Sequence, residues 1–252
     1  PSTTLIQDGD DERLVYDGFG RLVSYVKAKQ EDIDSPYFSA SYTYDYRNRR
    51  VSYSKGTDLL TTPAHTTTNY YYSGGTSVIE REGTTETRFY RGPDMGGGVG
   101  GILYACNADG TGLNYKHYNL RGDVILTTDG AGNVLSQSHY ETYGEHADYG
   151  AMPSDKHRAN TKVEDADTSL LLEGHRYRLL GAGIFLSPDP LEYVDGLHRY
   201  AYCGFNPWGR FDPTGLMSDK YIKMSFNSQH NNNTATVYSC SLIFLLGIGI
   251  RR

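Results

Sequence analysis

The stretch YDGFGRLVSY (residues 16–25) decides the fold, because it returns 28 positions later as YDYRNRRVSY (residues 44–53). Six of the ten positions are identical in the two copies. Each copy has a Tyr-Asp pair, two variable residues, and then Gly20 or Asn48. Glycine and asparagine tolerate the positive φ that hairpin turns require. The residues after each turn alternate as in a strand, so each copy predicts a β-hairpin.

Four further segments carry parts of this pattern. They combine tyrosine or threonine, a glycine-containing turn and, in most of them, a following apolar residue, at positions 70–78, 118–124, 127–135 and 140–145. Gly74-Gly75 and Asp129-Gly130 within them are hairpin signals. The repetition predicts an array of hairpins. A generic antiparallel sheet with common turn residues is the alternative explanation.

The composition agrees with β-structure. The 252 residues include 23 tyrosines, which favour strands, and 29 glycines, which mark turns and bulges. A net charge of −6 argues against a general nucleic-acid binder, which usually has a basic surface. The three cysteines are too far apart in sequence to predict a disulfide framework or a zinc knuckle. The start at Pro1, without Met or signal peptide, predicts a fragment of a longer chain.

Two longer segments carry a family resemblance. The Tyr-Asp units are similar to the YD repeats of Rhs proteins, Tc-toxin C components and teneurins. HYNLRGDVILTTDGAGNVLSQSHYETYGE (residues 117–145) resembles the end of the YD array, with Glu141-Thr142-Tyr143 where the family often has Asp-Pro-Phe. Residues 172–216 resemble the Rhs-associated core domain in their Ser-Pro-Asp-Pro step, Asn-Pro pair and closing Asp-Pro-x-Gly-Leu.

The resemblance implies an all-β fold in which YD-repeat hairpins spiral as part of a hollow shell, ending in a core domain that plugs or closes it. Residues 1–150 would be the shell segment, 151–216 the core with a self-cleavage site, and 217–252 a variable tail. Residues 152–173 are polar and predict a loop or short helix between shell and core. In toxin members the shell encloses a C-terminal effector, and the core cuts the chain after Asp-Pro-x-Gly-Leu, here between Leu216 and Met217.

The resemblance also implies the catalytic residues, which are Asp189, Asp212 and Arg176. Two carboxylates held close together share one proton, as in aspartic proteases, and a nearby arginine can stabilise the developing oxyanion. Proline follows both aspartates and fixes the local backbone. Gly215 permits a strained or very extended backbone beside the cut.

A structural explanation of the same residues stays open. Asp-Pro pairs are common turn formers, and Arg176 can serve as an ion-pair partner. The chain has Gly183-Ile184-Phe185 where the family usually has Gly-Arg-Phe, which predicts weak cleavage if that arginine supports the site. Asp195 is expected to be a turn residue.

The sequence predicts neither a cofactor nor a metal. Residues 96–101 match G-x-G-x-x-G, but a predicted strand follows where a dinucleotide site needs a helix. The eight histidines lack partners at ligand spacing. No Gly-x-Ser-x-Gly motif supports a serine hydrolase.

The tail and the partners follow from the resemblance. Residues 217–252 are either a degenerate or frameshifted effector, a short membrane-active peptide, or the result of truncation. The longest apolar run, residues 242–250, is too short for a membrane helix.

Expected partners are the tail itself as cargo and the N-terminal remainder of the shell or a toxin B-type component. Nucleic acid is not expected as a partner, and contact of the tail with a membrane stays open. Such a protein is secreted, or delivered to target cells by a bacterial secretion system. The competing hypothesis is a non-enzymatic, teneurin-like structural or recognition shell.

Overall fold

Twelve antiparallel strands form one continuous sheet in the computed structural model, which describes residues 2–7, 10–29, 32–57, 64–92, 101–147 and 155–220. Each strand pairs with the next in sequence, so the sheet is a meander, and the all-β prediction is confirmed. The strands are β1 (Ser2–Gln7), β2 (Asp10–Tyr16), β3 (Leu22–Lys29), β4 (Phe38–Tyr44), β5 (Arg50–Thr57), β6 (Ala64–Ser73), β7 (Thr76–Glu82), β8 (Thr85–Arg91), β9 (Ile102–Asn107), β10 (Asn114–Tyr118), β11 (Val124–Thr128) and β12 (Val134–Gln137).

Both copies of the ten-residue repeat form hairpins joined by the same five-residue turn. Asp17 and Asp45 begin the two turns, and each uses one carboxylate oxygen to accept two backbone N–H groups of its own turn. The other oxygen accepts the Nε–H of the arginine that ends the turn, at 2.7 Å in both copies. Gly20 and Asn48 have φ of 76° and 61°, as the sequence predicts. The Tyr-Asp pair therefore marks the end of a strand and the start of a turn closed by its own side chain.

The weaker copies form hairpins too. Gly74-Gly75 connects β6 to β7 directly. The turn between β11 and β12 is longer than Asp129-Gly130 predicts, because it runs from Asp129 to Asn133 and has its positive φ at Gly132. Asp129 accepts the N–H groups of residues 131 and 133, as Asp17 and Asp45 do in their turns.

Five tyrosines that lie just before a turn donate a hydrogen bond to a distant backbone carbonyl. Four of these hydroxyl groups donate to the carbonyl of the residue that opens an earlier strand of the sheet, at 2.6–2.7 Å. The pairs are Tyr44 to Leu22, Tyr72 to Arg50, Tyr118 to Ile102, and Tyr140 to Val124. Tyr16, in the first repeat, instead donates to the carbonyl of Leu186, 170 residues away. Four of the five tyrosines thus tie a hairpin to an earlier strand of the same sheet.

A smaller sheet packs against the large one. Its strands are β13 (Val163–Asp165), β14 (Leu170–Leu172), β15 (Tyr177–Leu179) and β16 (Ile184–Phe185), and a two-stranded ribbon follows with β17 (Arg210–Phe211) and β18 (Asp219–Lys220). Leu170 and Tyr177 belong to the same buried cluster as Tyr25, Tyr42 and Tyr53 of the large sheet. The prediction of a loop or short helix over residues 152–173 is wrong for its described part. Residues 155–173 hold a short 3-10 turn and the β13–β14 hairpin, because leucines at 170–172 have core positions to fill.

Across the residues that the structure describes, no helix is long and apolar enough to span a bilayer. The G-x-G-x-x-G match and almost all of the tail lie outside the described residues.

Two glycines of one turn provide a test of the repeat geometry. A Cβ at either Gly18 or Gly20 would meet nothing within 4 Å, but only Gly20 has a positive φ, of 76°. We expect Gly20→Ala to lower the free energy of unfolding by about 1 kcal/mol because of backbone strain. Gly18→Ala, the matched control, should change it by less than about 0.5 kcal/mol. Urea titration followed by circular dichroism measures both, and equal effects would contradict the turn geometry.

Candidate functional site

Arg176 brings the two predicted aspartates together. Its Nη2 lies 2.9 Å from Oδ2 of Asp189 and 3.7 Å from Oδ2 of Asp212. All three side chains are at most 5% exposed. Arg176 precedes β15, Asp189 follows β16, and Asp212 follows β17, so three separate segments meet at one guanidinium group. The arrangement places two carboxylates around one buried positive charge.

The Asp212 carboxylate organises the loop that it begins. Its Oδ1 accepts the backbone N–H groups of Thr214, Gly215 and Leu216, at 3.1, 2.7 and 3.2 Å. Its Oδ2 is buried and makes no hydrogen bond. One oxygen is therefore occupied by the loop, while the other is left beside Arg176.

The guanidinium of Arg176 is held by backbone and ring contacts as well. Its Nε donates to the carbonyl of Gly215 at 2.5 Å, and its Nη1 to that of Arg199 at 3.2 Å. The guanidinium carbon lies 3.6 Å from the centre of the Phe185 ring. Burial lowers the pKa of Arg176 from its ordinary value, against the opposing effect of Asp189 and Asp212. Because arginine stays protonated in proteins even so, the positive charge is permanent.

Two glycines allow the loop of Asp212 to lie against the chain that carries Arg176. A Cβ on Gly174 would meet the carbonyl oxygen of Thr214 at 2.7 Å, and Gly174 has φ of 110°. A Cβ on Gly215 would meet the carbonyl oxygen of Glu173 at 3.1 Å, and φ there is 74°. Gly215 thus has a backbone conformation that glycine adopts readily and other residues rarely adopt, and the close approach explains why both positions are glycine.

A second buried ion cluster supports the same loop, and sequence reasoning missed it. Lys162 donates to the carbonyl of Pro213 at 2.5 Å and lies 3.7 Å from Oε2 of Glu173. Glu173 Oε1 accepts a hydrogen bond from Nε of Arg178 at 2.8 Å, and Nη2 of the same arginine lies 2.8 Å from this oxygen. Burial raises the pKa of Glu173 and lowers that of Lys162, although the two attract each other. One sequence signal could have indicated this cluster: Glu173 directly follows the apolar run Leu170-Leu171-Leu172. A charged residue next to a core strand is rarely buried without a partner, so this position predicts a buried ion pair.

The predicted scissile peptide joins Leu216 and Met217 at the end of this loop. The N–H of Leu216 is bound by Asp212, whereas Met217 is 52% exposed. Ser218, the next residue, is bound by Asp195. Asp195 lies in a turn, as predicted, but it has a second role that the sequence did not reveal.

A cavity borders the loop. It has a volume of about 760 Å³ and is lined on this side by Gly174, His175, Pro213 and Thr214. Its remaining lining comes from turns of the large sheet and from residues around Lys162. A space of this size holds many water molecules, so water can reach the loop.

The structure thus brings Arg176, Asp189 and Asp212 together, and Asp212 contacts Leu216, the residue before Met217. Their roles in a reaction stay a prediction. The described residues contain no group of three or more histidine, cysteine, aspartate or glutamate side chains arranged to hold a metal ion.

Comparison with known proteins finds similarity to a nuclease and to a toxin subunit. The tRNA3(Ser)-specific nuclease WapA of Bacillus spizizenii is 30% identical over 226 residues, which are 82% of this chain and 9% of that protein. Toxin subunit YenC1 of Yersinia entomophaga is 34% identical over 131 residues, which are 50% of this chain and 13% of that protein. The chain spans only 9% and 13% of the length of these relatives. No family model matches it.

Solved structures share the fold. A crystal structure of TcdB2-TccC3-Cdc42 covers 85% of this chain, with a TM-score of 0.66 and 22% identity, over 10% of that chain. The pore of the Photorhabdus luminescens Tc holotoxin covers 89%, with a TM-score of 0.58 and 20% identity, over 11% of that chain. The meander sheet and the small sheet packed on it are therefore an arrangement found in Tc toxin proteins.

Removing the shared guanidinium should destabilise the fold strongly. We expect Arg176→Gln to lower the free energy of unfolding by about 3–5 kcal/mol, because two buried carboxylates lose their charge partner. Arg81→Gln is the matched control, since Arg81 pairs with Glu86 but is 47% exposed, and it should cost less than about 1 kcal/mol. Urea unfolding followed by circular dichroism provides the measurement. A loss at Arg176 no larger than that at Arg81 would contradict the buried ion cluster.

Proposed function

This chain belongs to the Rhs/YD-repeat proteins, and we propose that it is the C-terminal part of a toxin shell that encloses a C-terminal effector and releases it by cutting its own backbone. It is a shell protein related to toxin components. The observation that carries the proposal is the meeting of Arg176, Asp189 and Asp212, because Asp212 also begins the loop that contains Leu216 and accepts its N–H. Paired carboxylates beside a peptide bond are the chemistry of aspartic proteases.

The reaction is hydrolysis of the Leu216–Met217 peptide, once and in cis. A water molecule adds to the carbonyl carbon of Leu216 while one carboxylate of the Asp189/Asp212 pair takes its proton. The other member, protonated, donates a proton to the carbonyl oxygen. Breakdown of the tetrahedral intermediate breaks the C–N bond, and the nitrogen of Met217 leaves as an amine after taking up a proton. The products are a body ending in a carboxylate at Leu216 and a peptide beginning at Met217.

Three contacts support these roles. The buried Oδ2 of Asp212 makes no hydrogen bond, so it is free to handle a proton of the water or of the carbonyl oxygen. Arg176 lies within 3.7 Å of both carboxylates and offsets their negative charge, and a buried charge acts more strongly than one in water. The backbone bonds from Asp212 and Arg176 hold residues 214–216 in one conformation, which supplies the orientation that catalysis requires.

The proposal extends to organisation and partners. Residues 1–150 would form a segment of the shell wall, 151–216 the core with the cleavage site, and 217–252 the beginning of the cargo. Such a segment needs the N-terminal remainder of the shell or a toxin B-type component to complete the enclosure. Both named relatives are much longer than this chain, which agrees with a shell built from more repeats. Release into a target requires secretion, as for a toxin subunit.

A non-enzymatic shell is the second candidate, and one observation favours it. Arg176 donates to Asp189 and to the carbonyls of Gly215 and Arg199, so it already joins three segments as a structural tie. In that case the core would only close the shell. The two functions differ in whether the Leu216–Met217 bond is cut.

The intact mass of the freshly purified chain distinguishes them. We expect two species, a body ending at Leu216 and the peptide of residues 217–252. Asp189→Asn and Asp212→Asn should each slow the cut at least about 100-fold, because general acid or base catalysis is lost. They should therefore appear as one chain of 28.1 kDa.

Asp129→Asn is the matched control, because Asp129 closes an exposed turn of the large sheet by the same kind of hydrogen bonds. It should be cut like the parent chain. Circular dichroism checks that each variant is folded. A folded parent chain that remains whole would leave the structural shell as the function.

A further inference from the structure

The chain is clamped on both sides of the Leu216–Met217 peptide. Before the bond, Asp212 holds the N–H groups of residues 214–216 and Arg176 holds the carbonyl of Gly215. After the bond, Ser218 is held by a different carboxylate, that of Asp195. The assigned roles of Arg176, Asp189 and Asp212 do not explain this second clamp.

Asp195 binds Ser218 with both of its oxygens. Oδ2 accepts the backbone N–H of Ser218 at 3.1 Å, and Oδ1 accepts its hydroxyl at 2.8 Å. Arg210 adds to the arrangement, because its Nη1 donates to the Ser218 hydroxyl at 3.3 Å and lies 4.0 Å from Asp195 Oδ1. The Asp195 side chain is only 18% exposed. A two-point contact of this kind fixes the orientation of a residue as well as its distance.

The ribbon closes the loop around the peptide. Phe211, directly before Asp212, pairs with Asp219, directly after Ser218, in an antiparallel register. Residues 212–218 therefore form a loop with its ends joined, and the predicted scissile bond lies between its two clamps. Met217 is the loop residue between them, and it is half exposed.

We infer that Asp195 is a positioning residue for self-cleavage, which holds the leaving side of the Leu216–Met217 bond through the second residue after the cut. The inference rests on the function proposed above. A clamp on one side alone leaves the peptide free to rotate away from the carboxylates, whereas two clamps restrict both ends. A displacement of about 1 Å at a reacting bond can cost about 100-fold in rate. The site thereby prefers a hydroxyl residue at the second position after the cut.

The rate of cleavage in cis tests this role. The full 252-residue chain is made by cell-free translation, and samples taken over time are analysed by intact mass. We expect Asp195→Ala to be cut at the same bond but at least about tenfold more slowly. Ser218→Ala loses only the hydroxyl contact and should be slowed less, and Ser218→Thr should be cut faster than Ser218→Ala.

A double variant shows whether the two residues act as a unit. If Asp195 works through Ser218, Asp195→Ala/Ser218→Ala should be no slower than Asp195→Ala alone. Asp129→Ala, in the exposed β11–β12 turn, is the control for loss of a turn carboxylate and should match the parent rate. The free energy of unfolding, measured in the uncut Asp189→Asn background, reports any general loss of structure caused by Asp195→Ala.

Each outcome decides. If the parent chain and Asp195→Ala are cut at the same rate, the inference about Asp195 is wrong, whereas the proposed self-cleavage is supported. The inference is also wrong if the rate reductions of Asp195→Ala and Ser218→Ala multiply in the double variant. It is wrong too if the slower cleavage of Asp195→Ala accompanies a loss of free energy of unfolding while Ser218→Thr and Ser218→Ala are cut equally fast. A folded parent chain that stays whole would overturn the proposed function and this inference together.

Discussion

The alternation of side chains along residues 176–178 is the constraint that joins the fold to the site. Successive side chains on an extended strand point to opposite faces. Tyr177 points into the core shared with the large sheet, where its hydroxyl accepts Nη1 of Arg50 at 2.9 Å. Arg176 and Arg178 point the other way, to the aspartates and to Glu173. Any shift of β15 by one residue would put two arginines into the tyrosine core and take the positive charge from the site.

Buried charges are concentrated in this region beside the apolar core. Arg50 is 1% exposed and donates to Asp165 at 2.5 Å, while the rings of Tyr42, Tyr53 and Tyr70 surround it. The small sheet is thus fastened to the large one by an ion pair inside a cage of aromatic rings. Each buried guanidinium requires a carboxylate, because an arginine cannot shed its charge on burial. The carboxylate partners of Arg50, Arg176 and Arg178 all lie within residues 165–212. The small sheet and its loops therefore supply the negative charges that these buried arginines need.

The sequence predicted what depends on short-range chemistry. The hairpins followed from Asp17, Asp45 and a positive-φ residue three positions later, all within one turn. The association of Arg176, Asp189 and Asp212 followed only from family resemblance, since spacing along a chain does not determine contacts across separate segments. The contacts of Lys162 and Asp195 escaped detection because their partners, Pro213 and Ser218, are 51 and 23 residues away in the sequence. Polar composition misled over residues 155–173, where charged residues are buried in pairs.

The hydrogen bond from Tyr16 to Leu186 bears on the order in which the protein is built. Five turns of the sheet, among them those that begin at Asp17, Asp45 and Asp129, close with hydrogen bonds inside five residues, so these hairpins can form as the ribosome releases them. Tyr16 can form its hydrogen bond only after the carbonyl of Leu186, 170 residues later, has been synthesised. Arg50 can form its ion pair only after Asp165, 115 residues later, has been synthesised. The segments that meet at Arg176 come later still, ending with the loop at Asp212. The twelve strands of the large sheet are therefore synthesised before Asp189 and Asp212, so Arg176 can contact both aspartates only after that sheet has left the ribosome.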